Sequence, residues 1–469
     1  MQHLDNPFFD DFNRQLSHFV TVGKSTTAQR IEKLNRLYSA ISGNYRIKLQ
    51  DALRQDLGKH ETETDLTEIY PVLAEIRHTR KHLKEWMRPK FVGTPLVLTG
   101  SRSKIRLESK GVCLIISPWN YPVNLTLVPL ISAIAAGNCC IIKPSELSPA
   151  TSAVLGELIS ELFEPEELHL IKGPVETATK LLALPFHHIF FTGSPRVGKI
   201  VMQAAAVNLA SCTLELGGKS PAYVGSSAAV KTTALRLAWG KSTNAGQTCI
   251  APDYILVEES VKEALIQEIS TQWELFFPKT DEKTTELTRI INEAHFNRLT
   301  HALQEAIQGG ATIRYGGNYR QEDRFISPTL IENLPENSTL LNEEIFGPIL
   351  PIIGVKGPEQ ALDIINKKER PLACYIFSND NREIRMFGEN TRAGGTCVNH
   401  NLIHYANLNL PFGGVNNSGS GKSHGYAGFL EFSHERPELR QYLPSAAELV
   451  RPPYNKLKMR IAQWTMRWF

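Results

Sequence analysis

The chain of 469 residues is poor in cysteine, nearly neutral in net charge and without a long apolar run, and each shortage excludes a class of protein. Its seven cysteines are odd in number and irregularly spaced. They include no CxxC pair and no Cys/His cluster at zinc spacing, so we expect neither a disulfide framework nor a metal site. No apolar run reaches the roughly 18 residues that cross a bilayer. A net charge of +3 leaves no basic footprint for nucleic acid.

The composition is that of a soluble enzyme of a reducing, cytoplasmic compartment. Hydrophobic residues make up 42% of the chain and charged residues 21%, which is ordinary for a globular protein. The first stretch of the chain carries acids and no apolar segment, unlike a secretory signal. A length of 469 residues predicts two or three domains, because single cores stop growing at about 250–300 residues.

Strands and helices alternate along most of the chain. Residues 25–88 show helical spacing of apolar side chains, and short buried strands separated by helices follow from residue 112. Because this alternation places helices on both faces of a parallel sheet, we expect an α/β fold with two doubly wound units. The expected strands are 112–116, 139–142, 169–172, 188–191, 222–224 and 254–257, and the expected helices are 125–136, 151–162, 197–208, 228–240 and 261–274.

An exposed β-hairpin is expected just before this alternation. Residues 96–99 and 104–107 flank a turn at Gly100 and Ser101, and the second arm alternates apolar and basic side chains. A ribbon that protrudes from an α/β body offers unpaired edges to a second subunit.

Cys249 is the first candidate for a catalytic residue. It ends a run of small and polar residues, Asn-Ala-Gly-Gln-Thr-Cys, and Glu215 stands 34 positions earlier in a glycine-rich turn. A cysteine presented by such a turn, with a carboxylate as partner, predicts a thiol nucleophile served by a general base. The other six cysteines are expected to be buried apolar fillers.

Asn120 follows the first expected strand, where the ligand crevices of α/β sheets open. Its side-chain amide can donate to a developing oxyanion beside the backbone N–H of Cys249. Taken alone, an asparagine between Trp119 and Tyr121 is more often a turn residue.

Three further segments suit a dinucleotide. Lys143 and Glu146 end the second strand and can bond ribose hydroxyls, although a solvated turn explains them equally well. Ser194 opens a helix whose N-terminal amides can hold a pyrophosphate. Glu344 and Phe346 can fix the nicotinamide ribose, although a helix end before Gly-Pro explains that segment as well.

Together these segments resemble the aldehyde dehydrogenase superfamily over about residues 25–440. Order and spacing match as well as content. The matching runs are Pro118–Asn120, Lys143–Glu146, Phe191–Ser194, Glu215–Lys219, Gly246–Cys249, Glu344–Pro348 and Leu410–Gly414. The short N-terminus and the runs around Asn120 and Cys249 look most like class 3, the fatty and aromatic aldehyde branch.

The resemblance implies NAD(P)-dependent oxidation of an aldehyde through a thiohemiacetal and a thioester. It assigns Cys249 as nucleophile, Glu215 as the base that activates water, and Asn120 as oxyanion donor. NAD is the expected cofactor, with NADP tolerated. The residues implied in cofactor binding are Trp119, Lys143, Glu146, Gly193, Ser194, Gly198, Leu216, Gly217, Glu344 and Phe346.

The resemblance also implies a division of the chain and a homodimer. The dinucleotide-binding domain is expected at 1–91 and 110–213, the catalytic domain at 214–420, bridging elements at 92–109 and 421–440, and a tail at 441–469. The substrate is expected to be a medium- or long-chain aliphatic or an aromatic aldehyde. Two alternatives are acyl transfer to CoA or phosphate, and a non-catalytic binding protein of the same fold.

Two positions depart from the class 3 pattern. His400 stands where an acid is usual, and Asn416 where a glycine is usual. Both are expected near the mouth of the substrate tunnel, so they put the substrate range in doubt and leave the chemistry untouched.

The tail from residue 451 carries five basic residues and no acids. If it is helical, an apolar stripe forms between basic flanks. Such a helix packs on its own body or on the partner subunit, or it lies on a membrane surface. The stripe consists of Leu457, Ile461, Trp464 and Trp468, and the flanks of Lys456, Arg460 and Arg467.

Overall fold

The computed structural model describes residues 5–278, 286–445, 448 and 451–468. The first four residues of the expected dinucleotide-binding domain lie outside these ranges, as do five positions of the tail. Of Trp468 only the backbone is described.

The helices, with two short ones, are α1 (Phe9–Gly23), α2 (Thr27–Ser42), α3 (Asn44–Leu57), α4 (Glu61–Thr64), α5 (Tyr70–Trp86), α6 (Asn124–Ala136), α7 (Pro149–Leu162), α8 (Val175–Leu182), α9 (Pro195–Val207), α10 (Val230–Ser242), α11 (Glu259–Phe276), α12 (Glu293–Gln308), α13 (Thr339–Asn342), α14 (Pro358–Asn366), α15 (Asn381–Asn390), α16 (Gly425–Glu431) and α17 (Lys456–Trp468). A π-helical turn, Asp65–Ile69, joins α4 to α5.

The strands are β1 (Lys90–Val92), β2 (Ser101–Ser109), β3 (Val112–Ile116), β4 (Cys139–Lys143), β5 (Leu168–Leu170), β6 (His188–Gly193), β7 (Ser211–Leu216), β8 (Pro221–Val224), β9 (Tyr254–Glu258), β10 (Thr312–Tyr315), β11 (Tyr319–Arg320), β12 (Phe325–Ile326), β13 (Thr329–Glu332), β14 (Ile349–Val355), β15 (Ala373–Phe377), β16 (Gly395–Val398), β17 (Gly419–Ser420) and β18 (Ser433–Gln441).

The first sheet has six strands in the order β17-β7-β6-β3-β4-β5. All its pairs are parallel except that of β17 with β7. Strands β3 and β4 are buried along their whole length, because helices cover both faces of the sheet. The first sheet runs to Leu216, so β7 crosses the expected domain boundary at 213/214.

The second sheet has seven strands in the order β10-β13-β14-β9-β8-β15-β16. Only its edge pair, β10 with β13, is antiparallel. The two sheets confirm the expected α/β fold with two largely parallel units. Each strand and helix expected between residues 112 and 274 lies within a few residues of its predicted position. The domain boundaries themselves stay a prediction.

The expected hairpin is wrong in its first arm. Residues Leu96–Leu98 form a 3₁₀ turn, in which the Leu98 N–H donates to the Pro95 carbonyl at 2.9 Å. Proline fixes its own φ and favours this local turn over an extended strand. Strand β2 instead pairs with β1 on one side and, over nine residues, with β18 on the other. A three-stranded antiparallel sheet therefore stands where a two-stranded ribbon was expected.

Candidate functional site

The carboxyl ends of four parallel strands meet at one edge of the first sheet. Ile116 pairs with both Lys143 and Phe191, and Gly193 pairs with Leu216. Segments that follow these strands therefore emerge side by side. This edge is where doubly wound sheets bind their ligands.

Two polar features lie at this edge. Lys143 is buried and its ammonium bonds the carboxylate of Glu146, which is partly exposed. Ser194 caps helix α9, and its hydroxyl accepts from the Val197 N–H at 3.4 Å. No acid stands in the first turn of α9, so the positive end of the helix faces the edge without a competing negative side chain.

Three glycines at this edge allow close approach. A Cβ on Gly198 would lie 2.7 Å from the Leu216 side chain, so glycine lets α9 pack directly on β7. A Cβ on Gly193 would lie 2.5 Å from the Phe191 ring. A Cβ on Gly217 would lie 2.2 Å from the Glu344 carboxylate. The structure thus brings every residue implied in cofactor binding to this edge or to the segment beside it.

The cysteine loop begins with three consecutive left-handed residues. Asn244, Ala245 and Gly246 have φ values of 51°, 51° and 70°. A Cβ on Gly246 would lie 2.2 Å from the carbonyl oxygen of Gly347, so only glycine fits there. This left-handed turn ends α10 abruptly and presents the residues that follow to the cleft.

The side chain of Gln247 holds the loop from within. Its amide nitrogen donates to the Asn244 carbonyl at 3.1 Å and to the Arg289 carbonyl at 3.0 Å. Its oxygen accepts from the Ile291 N–H at 3.1 Å. All the polar atoms of this buried side chain are engaged, which fixes the loop against the segment 289–291.

Asn120 reaches the same loop from the first sheet. Its side-chain amide donates to the Gln247 carbonyl at 3.0 Å, two residues before Cys249. Next to it, the Tyr121 and Thr248 hydroxyls lie 2.8 Å apart. The amide of Asn120 carries a second hydrogen, which can donate to an oxyanion beside the sulfur.

Glu215 and Cys249 line one small cavity. Glu215 is buried, and neither carboxylate oxygen has a hydrogen-bond partner among the described residues. Burial raises its pKa well above the ordinary value, Lys422 offsets part of that rise and Glu431 adds to it. Burial, with the nearby carboxylates of Glu344 and Glu215, raises the pKa of the Cys249 thiol to about 12. The Cys249 thiol is therefore protonated at neutral pH in this arrangement, and the raised pKa of Glu215 favours the protonated form of its carboxyl group.

Glu344 and Phe346 border the cleft on its other side. The Glu344 carboxylate accepts from the Gly218 N–H at 3.1 Å, and burial raises its pKa to about 8. Phe346 has a φ of 49°, and its ring meets that of Trp119 edge-on at 5.4 Å. The two aromatic rings join the 118–120 turn to the 343–348 segment and form a wall beside the cysteine loop.

A pair of buried charges supports Asn120, and the sequence patterns did not reveal it. Lys59 and Glu68 are both 0% exposed, with 2.8 Å between Nζ and Oε1. The second oxygen of Glu68 accepts from the backbone N–H groups of Val123 and Asn124 at 3.1 and 3.0 Å. These N–H groups begin helix α6, so the pair holds the 120–124 segment in place.

A second, larger cavity of about 240 Å³ opens at Cys249. Its walls are largely apolar and include Leu125, Val128 and Phe412. Cys249 and Tyr405 line both cavities, so the sulfur lies where the two cavities adjoin. The larger cavity can accept the body of an apolar or aromatic substrate while its reacting carbon meets the sulfur.

The two departures from the class 3 pattern lie outside the cavity lining. His400 packs edge-on against Trp239, whose side chain lines the cavity, at 5.9 Å. Asn416 accepts a hydrogen bond from Arg370. His400 thus contacts a residue of the cavity wall without lining the cavity itself, and Asn416 does not line it.

Comparison with known proteins agrees with this geometry. The model of the aldehyde dehydrogenase family matches residues 14–436. A 4,4'-diaponeurosporen-aldehyde dehydrogenase of Staphylococcus aureus is 41% identical over 97% of each chain, and mouse aldehyde dehydrogenase family 3 member B3 is 40% identical over 98% of this chain and 95% of its own. A solved structure described as the substrate-bound state of Staphylococcus aureus AldH is 41% identical, covers 98% of this chain and 100% of its own, and has a TM-score of 0.93.

Proposed function

The chain belongs to the aldehyde dehydrogenase family and is an NAD(P)-dependent aldehyde-oxidising enzyme of the class 3 type, and we propose that it converts a medium- or long-chain aliphatic or an aromatic aldehyde to the free acid. The observation that carries this proposal is the position of Cys249. Its sulfur joins an apolar cavity to a smaller one that holds a buried carboxyl group without a partner among the described residues.

The cofactor fits the edge of the first sheet. The positive end of α9, which has no acid in its first turn, suits a pyrophosphate, and Lys143 with Glu146 suits the adenosine ribose. Trp119, Glu344 and Phe346 suit the nicotinamide end. When bound, the nicotinamide supplies the acceptor for a hydride. We propose NAD as the preferred form, because the carboxylate of Glu146 repels a 2′-phosphate.

In the proposed mechanism, side chains and backbone N–H groups of the enzyme bond the aldehyde carbon, stabilise its oxygen and transfer protons. The sulfur of Cys249 bonds to the aldehyde carbon and a proton ends on the carbonyl oxygen, which gives a thiohemiacetal. The amide of Asn120 and the backbone N–H of Cys249 stabilise the oxygen while it is negative. Loss of a hydride and of the hydroxyl proton leaves a thioester on the sulfur.

Glu215 completes the cycle. Its carboxylate takes a proton from water, which attacks the thioester carbon and releases the acid and the thiol. A buried carboxyl group in a cavity shared with the sulfur is suited to this step, because no described side chain competes with water for its oxygens and its raised pKa makes the ionised form a stronger base. Acyl transfer to CoA or phosphate needs such water to be kept out, so the same carboxyl favours hydrolysis.

Turnover of an aldehyde panel with NAD and with NADP tests the proposal. We expect Cys249→Ala to abolish formation of reduced cofactor. Glu215→Gln should give a burst of about one equivalent followed by a stalled thioester. Cys212→Ala, a thiol outside both cavities, is the matched control and should retain activity. Free acid without added CoA or phosphate supports hydrolysis, whereas a Glu215→Gln variant with an unchanged steady-state rate contradicts it.

We also propose that the enzyme is a homodimer. The three-stranded sheet pairs with neither of the two larger sheets, and its outer strand β18 has one edge without a strand partner among the described residues. An open edge of nine residues is suited to pairing with a second copy. Light scattering after gel filtration should give twice the mass of the chain.

The tail is proposed to pack on the partner subunit or to lie at a membrane surface. No described helix has the length and apolar character of a membrane span. Helix α17 exposes Leu457 and Trp464 by 65% and 58%, next to basic side chains. Flotation of the full chain with anionic and with neutral vesicles separates the two placements, because only a membrane-bound tail brings the enzyme to the anionic vesicles.

A further inference from the structure

The large cavity beside Cys249 is mainly apolar, and His424 and Glu75 are the polar residues of its wall that keep buried atoms without a hydrogen-bond partner among the described residues. His424 is 1% exposed, and neither ring nitrogen has a hydrogen-bond partner among the described residues. Glu75 is 0% exposed, and its Oε2 also lacks a partner there. Buried polar atoms are nearly always paired, so three such atoms at one cavity point to a ligand group that completes them.

Packing fixes the imidazole of His424. The residue precedes helix α16 with a φ of 49°, in the left-handed region that is uncommon outside glycine. Its ring stacks on that of Phe412 at 5.9 Å and meets that of Tyr405 edge-on at 5.3 Å. A side chain held between two rings in strained backbone presents its nitrogens in a set direction.

Glu75 is fixed beside it. Its Oε1 accepts from the N–H of Gly425, the residue after His424, at 2.8 Å. The Thr79 hydroxyl lies 3.4 Å from the same oxygen. Only Oε2 remains for a further hydrogen bond, so the carboxyl group and the imidazole are joined through one peptide unit.

The charge states of His424 and Glu75 restrict the chemical class of the ligand group. Burial lowers the pKa of His424 to about 4, so its imidazole is neutral at pH 7 and offers one N–H and one lone pair. Burial raises the pKa of Glu75 to about 7. No lysine or arginine is among the residues described as lining the cavity. A carboxylate or phosphate on the substrate would therefore find no counter-charge, whereas a hydroxyl both donates and accepts.

The walls and size of the cavity indicate what carries that hydroxyl. Tyr405 and Phe412 line the cavity together with His424 and Cys249, and their rings meet edge-on at 5.0 Å. A volume of about 240 Å³ exceeds the roughly 150 Å³ that is known to hold benzene in a protein interior. A ring with short substituents fits this space.

We propose that His424 and Glu75 form a subsite for a hydroxyl group, and that the preferred substrates are uncharged aromatic aldehydes carrying an alcohol substituent. The inference rests on the proposed function, since it takes the cavity as the substrate site. His424 is the residue that determines this preference, and Glu75 both positions it and shares the hydroxyl.

The test compares isosteric substrates. The (hydroxymethyl)benzaldehydes and the corresponding ethylbenzaldehydes, in the 3- and 4-series, differ by an oxygen in place of a methyl group and leave the aldehyde almost unchanged electronically. We expect kcat/KM to favour the alcohol of the better-fitting series by about tenfold or more, because its loss leaves buried polar groups unpaired. A ratio near one in both series overturns the proposal.

Matched histidine variants assign the effect. His424→Phe keeps a ring of similar size without nitrogens, and should bring the ratio close to one; Glu75→Gln should reduce it in part. His404→Phe makes the same change at a second histidine whose nitrogens also lack described partners but which does not line the cavity, and the ratio should persist. Equal losses with both substrates in His424→Phe would indicate a structural role and overturn the assignment.

A ligand without an aldehyde separates this inference from the proposed chemistry. Binding of 4-methylbenzyl alcohol and of 4-ethyltoluene to the wild-type enzyme is measured by calorimetry or by thermal shift. Preference for the alcohol supports the subsite even if no aldehyde is oxidised, and equal binding overturns it even if aldehydes are oxidised. The wild-type comparison also decides the matter should His424→Phe fail to fold.

Discussion

Removing the ammonium of Lys59 should destabilise the enzyme far more than the loss of a surface charge. Lys59 Nζ lies 2.8 Å from Glu68 and 3.4 Å from the Asn120 carbonyl, and 4.4 Å above the Tyr121 ring. In Lys59→Met the Glu68 carboxylate stays buried with only the two N–H groups that begin α6. Breaking a buried pair in this way costs about 3–5 kcal/mol, because the remaining charge has no counter-charge.

This cost is large enough to measure as a melting temperature. One kcal/mol shifts Tm by about 2–4 °C in a folding unit of 150–250 residues, so we expect a fall of about 6–20 °C. The double variant Lys59→Met/Glu68→Gln should recover more than half of it, since glutamine keeps an acceptor for the Val123 and Asn124 N–H groups and carries no charge. Lys48→Met, at an exposed pair with Glu157, is the control and should change Tm by less than about 2 °C.

The Tm deficit of Lys59→Met should also depend on pH, in a direction that the pKa of Glu68 sets. Burial raises the pKa of Glu68 even with Lys59 present, and without Lys59 its pKa rises further. A group whose pKa is higher in the folded state destabilises the fold above its unfolded pKa. The Tm deficit of Lys59→Met should therefore be larger at pH 8 than at pH 5. A deficit below 2 °C, or one that the double variant does not reduce, would refute this account of the pair.

Four further results are expected. Gly246→Ala should lower kcat/KM by more than tenfold and also lower Tm, because the added Cβ would lie 2.2 Å from the Gly347 oxygen at a φ of 70°. Steady-state kinetics and thermal melts check this prediction, and wild-type-like values contradict it. The rate at which iodoacetamide alkylates Cys249 in the enzyme alone should rise about tenfold per pH unit from pH 6 to 9, since the thiol pKa is raised to about 12. Mass spectrometry measures this rate, and a plateau below pH 9 would contradict the prediction. Thioester hydrolysis, measured in single turnovers, should accelerate as pH rises, because the raised pKa of Glu215 keeps the base protonated at low pH; loss of this profile in Glu215→Gln is the control. Glu146→Ser should raise kcat/KM with NADP relative to NAD by several-fold, and an unchanged ratio would remove Glu146 from cofactor choice.

The strands of both sheets could be predicted because parallel strands buried on both faces appear as continuous apolar runs. Val112–Ile116 and Tyr254–Glu258 are such runs, and both form strands within a residue of the expected bounds. The sequence could single out Asn120, Glu215 and Cys249, whose catalytic roles stay a prediction, because the turns around Asn120 and Cys249 and the glycine turn just after Glu215 have unusual compositions. Such turns require particular residues, so their sequence is informative.

Contacts between distant segments could not be predicted in the same way. A lysine and a glutamate nine positions apart in a helical region suggest two exposed charges, yet Lys59 and Glu68 are fully buried. The pairing of β2 could not be predicted either, because its partner β18 comes from beyond residue 430. His424 follows no pattern of its own, because its surroundings come from α5 and from the 405–412 segment.

The structure also shows a positioning role for the motif residue Lys219 and for Asp253, which stands four positions after Cys249. Lys219 donates to the Leu340 and Glu343 carbonyls at 2.7 and 3.0 Å and bonds the Asp253 carboxylate. Asp253 in turn accepts from the Ile345 N–H at 3.0 Å. The turn after Glu215, the loop after Cys249 and the segment before Glu344 are thus held by one buried pair. Some motif residues therefore serve to position the reacting groups. The Glu215 carboxyl and the Cys249 sulfur stand 34 residues apart, and they can reach one carbon atom only if the segments that carry them are fixed to each other.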